Sequence, residues 1–407
     1  MTSRAVDAAA VDAFVDDRRD DLLSLLGALV AAPSFNPPGD TRAVAAIVAS
    51  RLAAAGLAHR MVARDPTKPN VIASFEGGRP GPHLVFNVHL DTIHPGEESD
   101  WSVPLTEMTR RGDRLYGLGI GNMKGAVAAQ LLAVEWLFAR RQDLAGRVTF
   151  TGVADETVFG PDGAEFLLEA GEDILGDAVI CGEGPGALGL ALAEKGWLWI
   201  AVEATARTAQ GMLARPRSSA ITRLAAALVE IDGWNALRAE PPEVIADVAR
   251  GGPEGLRLSV NAGTVQGGLF VSQSATRAVA ELDFRIPPGL TVADIEGRMS
   301  ELCARSEGLS FRRLKGGGPN WTAAGEPVVA AVAAAHAAVT GEAARPVVRL
   351  PGSDASRWRR RGVPAVCYGP QADIVSGVDD HVIAEDVVTC AKVYARAALS
   401  LLSEAHS

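Results

Sequence analysis

The stretch HLVFNVHLDT, residues 83–92, decides the fold. It reads as a buried strand that ends on two polar residues, His89 and Asp91. Upstream, a helix from about Val11 to Ala31 stops before the Pro/Gly-rich loop PSFNPPGD (33–40), and a second amphipathic helix covers about Thr41 to Ala55. Downstream, the stretch LYGLGIGNMKGA (115–126) opens a helix that follows Asn122 and runs to about Arg141. Two more apolar strands follow, RVTFTGVADE (147–156) and DAVICGE (177–183). Strands alternating with helices predict an α/β sheet, and such sheets carry their sites at strand ends. Asp155, Glu156 and Glu183 sit at those ends beside His89 and Asp91.

After Lys195 the pattern changes. WLWIAVEATAR (197–207) is a strand, SSAITRLAAALVEI (218–231) a helix, and 257–268 and 275–286 are two strands with a tight connection. TVADIEGRMSELCARSEG (291–308) is again a helix. The order β-α-β-β-α predicts a small ferredoxin-like α+β insert. The α/β pattern then returns, so the expected organisation is an α/β domain over 1–194 and 308–407, split by an inserted domain over 195–307.

Composition narrows the function. The 407 residues are 48% hydrophobic and 22% charged, with a net charge of −10 and no Lys/Arg cluster. That favours a small-molecule partner over nucleic acid. Cys181, Cys303, Cys367 and Cys390 show no CxxC spacing and read as reduced thiols. No apolar run is long enough to span a membrane, and the acidic N-terminus lacks a signal peptide's apolar core. The expectation is a soluble, cytoplasmic protein. The Gly-rich stretches GLGIG and GEGPG lack the strand–turn–helix context and distant acidic residue of a nucleotide loop.

Each polar residue at a strand end has a bland reading as a solvated loop group. Together, one His-x-Asp, two isolated carboxylates and His381, placed just before the last helix, favour a metal or acid/base site. His89 and Asp91 lie two apart on a strand and share a face, so the Asp91 carboxylate is expected to orient the imidazole.

At this point the chain resembles the acetylornithine deacetylase, succinyl-diaminopimelate desuccinylase and aminoacylase family of co-catalytic zinc exopeptidases. The resemblance rests on LLGALVAAPSFNPPGD (25–40), NVHLDT (87–92), YGLGIGNMKGA (116–126), VADETVFGPDGA (153–164), ELDFRIPPG (281–289), GSDAS (352–356) and the His381 segment, in that order. It implies a zinc-exopeptidase-like α/β catalytic domain with an inserted lid, and a homodimer through that lid. By resemblance His89 and Glu183 match one metal's ligands and His381 the other's. Glu156 matches the general base, and Asp91 the residue that orients the histidine.

The departures are as specific as the matches. Asn122 stands where the bridging Asp belongs, and Thr157 where the second metal's Glu belongs. Gln210 replaces the lid histidine that reaches the partner's site, Leu118 replaces the Arg of Gly-Arg-Gly, and VSQSA (271–275) replaces Asn-Val-Val-Pro. A two-zinc site carries about four positive charges, which carboxylates offset. Here two of three ligand carboxylates are gone. The site is therefore expected to hold at most one divalent ion, zinc where one is bound, or none. Asn122 keeps an oxygen able to cap the helix while discarding the charge. An inactivating substitution would look the same, but three changes at one centre point to repurposing.

Glu156 needs no metal to move protons, and burial beside Asp155 and Glu183 would raise its pKa towards neutrality. Arg285 offers a bidentate fork for a substrate carboxylate, with Gly352, Ser353, Asp354 and Gln210 as further contacts. The sequence thus predicts an enzyme on a small amide or amino-acid derivative. Its step would be amide hydrolysis or a metal-independent cyclisation, elimination, isomerisation or acyl transfer. Two alternatives stand beside it: a conventional dinuclear amidohydrolase that recruits another ligand, His94 being the spare histidine nearby, and a non-catalytic binding protein.

Overall fold

The computed structural model describes residues 8–186, 188–251, 253–373 and 377–403. Along the chain come helices α1 (Ala8–Asp17), α2 (Arg19–Ala31) and α3 (Arg42–Ala54), then strands β1 (His59–Val62), β2 (Asn70–Glu76) and β3 (Arg79–His89). Next are α4 (Gly125–Ala139), β4 (Ala145–Val153), β5 (Ala178–Cys181), β6 (Leu190–Glu194) and β7 (Gly196–Thr205). These are followed by α5 (Ala220–Asp232), β8 (Ser259–Gly267), β9 (Arg277–Ile286), α6 (Val292–Ala304) and β10 (Leu309–Gly317). The chain closes with α7 (Pro327–Thr340), β11 (Ala365–Cys367) and α8 (Ala384–Ser403). The first predicted helix is two: Arg18, at φ −109° and ψ 16°, separates α1 from α2.

Two compact units result. The first comprises Met1–Leu192, Thr322–Val347 and Ser353–Ser407, the second Ala193–Trp321 and Val348–Gly352. In the first, strands are ordered β6-β11-β5-β3-β4-β2-β1. The neighbours β11, β5, β3 and β4 run parallel; β2, β1 and β6 join antiparallel. A parallel strand is covered on both faces, which explains why Leu84 to His89 are all buried. Val85, Val153, Val179 and Cys367 pack on one face with Leu167, Ile174 and Trp358. On β3, Phe86 meets Tyr394 of α8 edge to face. With β3 central, His89 is level with Val153 of β4, and Asn87 with Cys181 of β5. The C-terminal ends of three neighbouring parallel strands therefore lie side by side.

The second unit is an antiparallel sheet ordered β8-β9-β7-β10. Leu198, Ile200, Val202, Leu282 and Phe284 on one face share a core with Leu224 and Ile231 of α5 and Ile295, Met299 and Leu302 of α6. Helix α6 begins with a reciprocal cap in which the Thr291 hydroxyl accepts from the Asp294 N–H and the Asp294 carboxylate accepts from the Thr291 N–H. The sequence reading ended this insert at residue 307. The structure adds β10, which pairs along β7. Arg312, Arg313 and Lys315 make β10 polar, so it carries no apolar run to mark it.

Among the described residues no helix is long and apolar enough to cross a membrane. The four cysteines are free thiols.

Candidate active site

His89 ends β3, Glu156 lies just past β4, and Glu183 just past β5. All three side chains are buried, and their nearest ligating atoms lie within 4.8 Å of one another. His89 Nε2 is 3.3 Å from Glu183 Oε1 and 3.8 Å from Glu156 Oε2. One imidazole and two carboxylates form a donor set that zinc accepts, so this group fits a single divalent ion.

The imidazole is held from both sides. Its Nδ1 lies 2.7 Å from the Asp91 carbonyl, which can only accept, so Nδ1 carries a proton. The Asp91 carboxylate is farther, at 3.7 Å. Orientation thus comes from the backbone of Asp91 rather than from its side chain. On the other edge Nε2 lies 2.8 Å from Asn122 Oδ1. Two acceptors suit an imidazolium. Burial opposes that charge, but Glu156, Asp91 and Asp354 outweigh it and raise the His89 pKa.

Asn122 does not cap the helix. Helix α4 starts at Gly125 with no side-chain cap, and Asn122 has extended backbone (φ −123°, ψ 92°) in the turn before it. Gly119 carries this turn at φ 73°, where a Cβ would lie 2.0 Å from Thr92 Cγ2. The turn aims the Asn122 amide at His89. Two residues on, the buried Lys124 amine donates to the Ala32 carbonyl at 2.9 Å.

The Asp91 carboxylate has a different task. It accepts from the backbone N–H of Glu156 and of Thr157 at 3.1 Å each, from the Thr157 hydroxyl at 2.7 Å and from Asn36 Nδ2 at 3.0 Å. It therefore fixes the turn that carries Glu156. Asn36 also donates to Asp155 Oδ1, and Lys68 Nζ pairs with the same oxygen at 2.6 Å. Asp155 sits at φ 61°, a left-handed conformation that aspartate tolerates. Asn36, Lys68 and the Thr157 hydroxyl escape a motif search. The faint signal for Asn36 is its place in the Pro/Gly loop, whose residues Phe35 and Asn36 pair in parallel with Thr92 and Ile93.

The remaining residues are placed as follows. His381 lies outside the group of three; its Nδ1 is 3.3 Å from the Asp379 carbonyl and its ring stacks on Tyr116. His94 is outside it as well, accepting from the Gly96 N–H and packing edge-on against Phe35. Leu118 fills a small apolar cluster with Trp101 and Val103. Ser353 lies 3.3 Å from the Cys367 thiol. Asp354 is buried, accepts from Arg357 Nε at 2.9 Å, and its Oδ2 has no hydrogen-bond partner among the described residues. Burial raises its pKa against the pull of Arg357 and His89. Gln210, Arg285 and Gly352 belong to the second unit. There Gln210 is exposed and bridges to Gln273 through the backbone, Arg285 Nε donates to Asp283 at 2.9 Å, and the Gly352 carbonyl accepts from Arg349.

Residues 85–400 match the model of Peptidase family M20/M25/M40. The chain belongs to that family. It is an M20 amidohydrolase- or peptidase-like enzyme, and the resemblance read from the motifs is borne out. An M20 relative from Paracidovorax citrulli, named succinyl-diaminopimelate desuccinylase, is 26% identical over 92% of this chain and 96% of its own length. N-formyl-4-amino-5-aminomethyl-2-methylpyrimidine deformylase of Halalkalibacterium halodurans is 32% identical, over 39% of this chain and 38% of its own. Among solved structures, the dipeptidase Dug1p of Saccharomyces cerevisiae matches with a TM-score of 0.75 at 13% identity, covering 98% of this chain and 99% of that one. Human carnosine dipeptidase 1 matches with a TM-score of 0.70 at 16% identity, covering 97% and 99%. These structural matches bear out the α/β fold class.

Proposed function

We propose that this M20 enzyme acts on a small amide or amino-acid derivative, with Glu156 as general acid/base and at most one divalent ion, held by His89 and Glu183. The observation that carries the reading is the setting of Glu156. It is buried beside His89, and Asp91 clamps its backbone N–H and that of the next residue. A proton-transfer group needs such fixed geometry more than it needs a particular metal count. The relatives named desuccinylase and deformylase support an amide or acyl-amine as the substrate class.

Depletion of the second metal position is supported by what its residues do. Thr157 spends its hydroxyl on Asp91, the Asn122 oxygen faces His89, and His381 stands outside the donor group. A bound ion would polarise the substrate carbonyl and lower the pKa of a coordinated water. The chain's own residues supply the rest. Glu156 takes the proton from the attacking nucleophile and returns it to the leaving nitrogen. Asp91 holds Glu156 in place, and the Asp91 carbonyl keeps the proton of His89 on Nδ1. In the ion-free form the imidazolium of His89, favoured by Glu156, Asp91 and Asp354, supplies the positive charge that faces a developing oxyanion. That form serves a non-hydrolytic acyl transfer or cyclisation as well as hydrolysis.

A homodimer through the second unit accompanies this reading. Its support is the outer strand β8, exposed from Asn261 to Gly267, and the exposed Leu269 and Val271 that follow.

The test is elemental analysis of the purified protein together with turnover of an N-acyl amino acid and dipeptide panel by the wild type and Glu156→Gln. Expected are one ion or none per chain and loss of turnover by at least a hundredfold in Glu156→Gln. Two tightly bound zinc ions, or full activity without the Glu156 carboxyl, refute the proposal.

A further inference from the structure

We infer that Arg357 is a positioning residue, one that holds the far end of the turn carrying Glu156. The inference rests on the reading of Glu156 as the acid/base, but the clamp can be tested without it.

The turn is one that must be held. Asp155 and Phe159 both lie in the left-handed region, at φ 61° and φ 54°. Neither is glycine, and such backbone persists only where neighbours fix it. The turn closes on itself: the Phe159 N–H donates to the Glu156 carbonyl at 2.7 Å, and the Gly160 N–H to the Asp155 carbonyl at 2.8 Å. A Cβ on Gly160 would lie 1.8 Å from Asp155 Oδ2, so the chain has no room for a side chain where it folds back. Asp91 secures the near end through the N–H groups of Glu156 and Thr157. Arg64 and Asn70 take the carbonyls of Pro161 and Asp162 further on, at 2.7 and 2.9 Å. Between these two grips, the Gly160 carbonyl accepts from Arg357 Nη2 at 3.3 Å.

Arg357 projects from a fixed base. It lies on the short helix Ala355–Arg359, where Trp358 is fully buried and donates from Nε1 to the Ile174 carbonyl at 3.0 Å. Each of its three nitrogens has an acceptor in a different segment. Besides Gly160, Nη1 donates to Glu165 Oε2 at 3.1 Å, and Nε donates to Asp354 Oδ1 at 2.9 Å. Arg361 braces the same Glu165 from its other oxygen at 2.6 Å. A guanidinium is planar and permanently charged, so three acceptors spread around it fix its plane. A lysine could not reproduce that fork. The charge of Arg357 also reaches Glu156, so the residue that grips the turn faces the group the turn presents. Fixed geometry of this kind is what a proton-transfer group needs from its surroundings.

Hydrogen exchange on the full chain, read by mass spectrometry, tests the clamp through peptides spanning residues 156–163, with residues 147–153 of β4 as the control. In Arg357→Met the first segment is expected to exchange about tenfold faster and the second at the wild-type rate, because the opening is local. On the substrate of the N-acyl amino acid and dipeptide panel that is turned over best, kcat should fall about tenfold while KM changes less than about threefold. Arg357→Lys keeps the cation and loses the fork, so it should fall between wild type and Arg357→Met in both measurements, and it serves where Arg357→Met folds poorly. Unchanged exchange over 156–163, equal acceleration of both segments, or an unchanged kcat in Arg357→Met where Glu156→Gln is inactive overturns the inference. Full activity in Glu156→Gln overturns the acid/base reading instead, and the exchange rates then decide the clamp.

Discussion

Replacing Lys124 by methionine isolates the cost of one buried amine at the base of the site. Lys124 is 1% exposed, and its Nζ has the Ala32 carbonyl as acceptor. Burial lowers its pKa from 10.5 to about 7, with Asp380 pulling the other way. The folded pKa lies below the unfolded one. Between about pH 7 and 10.5 the unfolded chain therefore holds a proton that the folded chain has released, and stability rises with pH across that window. From pH 7 to 9.5 the gain amounts to about 3 kcal/mol, at about 1.4 kcal/mol per tenfold change in proton affinity. Methionine keeps the side chain's length and loses the hydrogen bond, which costs about 1 kcal/mol at every pH. Burial also holds the Cys390 thiol and the Tyr394 hydroxyl well above their ordinary values in the folded chain, but both groups are common to the two proteins and cancel in the difference. Urea unfolding of wild type and Lys124→Met, followed by far-UV circular dichroism at several pH values, gives that difference. The variant should be the more stable near pH 7, and its advantage should shrink by about 3 kcal/mol by pH 9.5. Parallel pH profiles, differing by less than about 1 kcal/mol in slope over the window, would refute the reasoning. They would mean that the folded chain keeps Lys124 protonated throughout.

Other perturbations probe the site more directly. Thr157→Val removes the shortest of the four hydrogen bonds to the Asp91 carboxylate, so it should cost about 1–2 kcal/mol in chemical denaturation and lower kcat more than it raises KM. A stability change under about 0.3 kcal/mol would show that the hydroxyl is dispensable to the turn. Asn122→Asp with Thr157→Glu restores two carboxylates and should raise zinc affinity at least tenfold in competition with a chromophoric chelator; unchanged affinity would sink the account of the lost ligands.

Much of this arrangement was legible in the sequence where chemistry and periodicity coincide. The run ending at His89 reads as a buried strand, and Glu156 and Glu183 stand out because polar residues punctuate apolar strands at their ends. Asn122 was harder. Its side chain suits a helix cap, but the glycines before it let the chain turn freely, and the helix begins only at Gly125. No local pattern distinguishes an amide that caps from one that faces an imidazole across the fold. The same holds for Asn36 and Lys68, whose partners lie 55 to 119 residues away in the chain. Strand β10 was missed for the opposite reason: its side chains are half exposed, and its place is set by pairing with β7 rather than by its own hydropathy.

The contact between His89 and Asn122 has one more consequence. A carboxylate offers the imidazole only lone pairs, whereas an amide has an accepting end and a donating end. Half a turn about the last bond of the Asn122 side chain exchanges them. With the oxygen presented, the ring is held as a cation; with the nitrogen presented, the ring is held bare, its lone pair engaged. Neither state asks the backbone to move. The exchange of acid for amide thus turns a fixed electrostatic anchor into a two-position socket. In either position the ring keeps its place between the Asp91 carbonyl and the Asn122 amide.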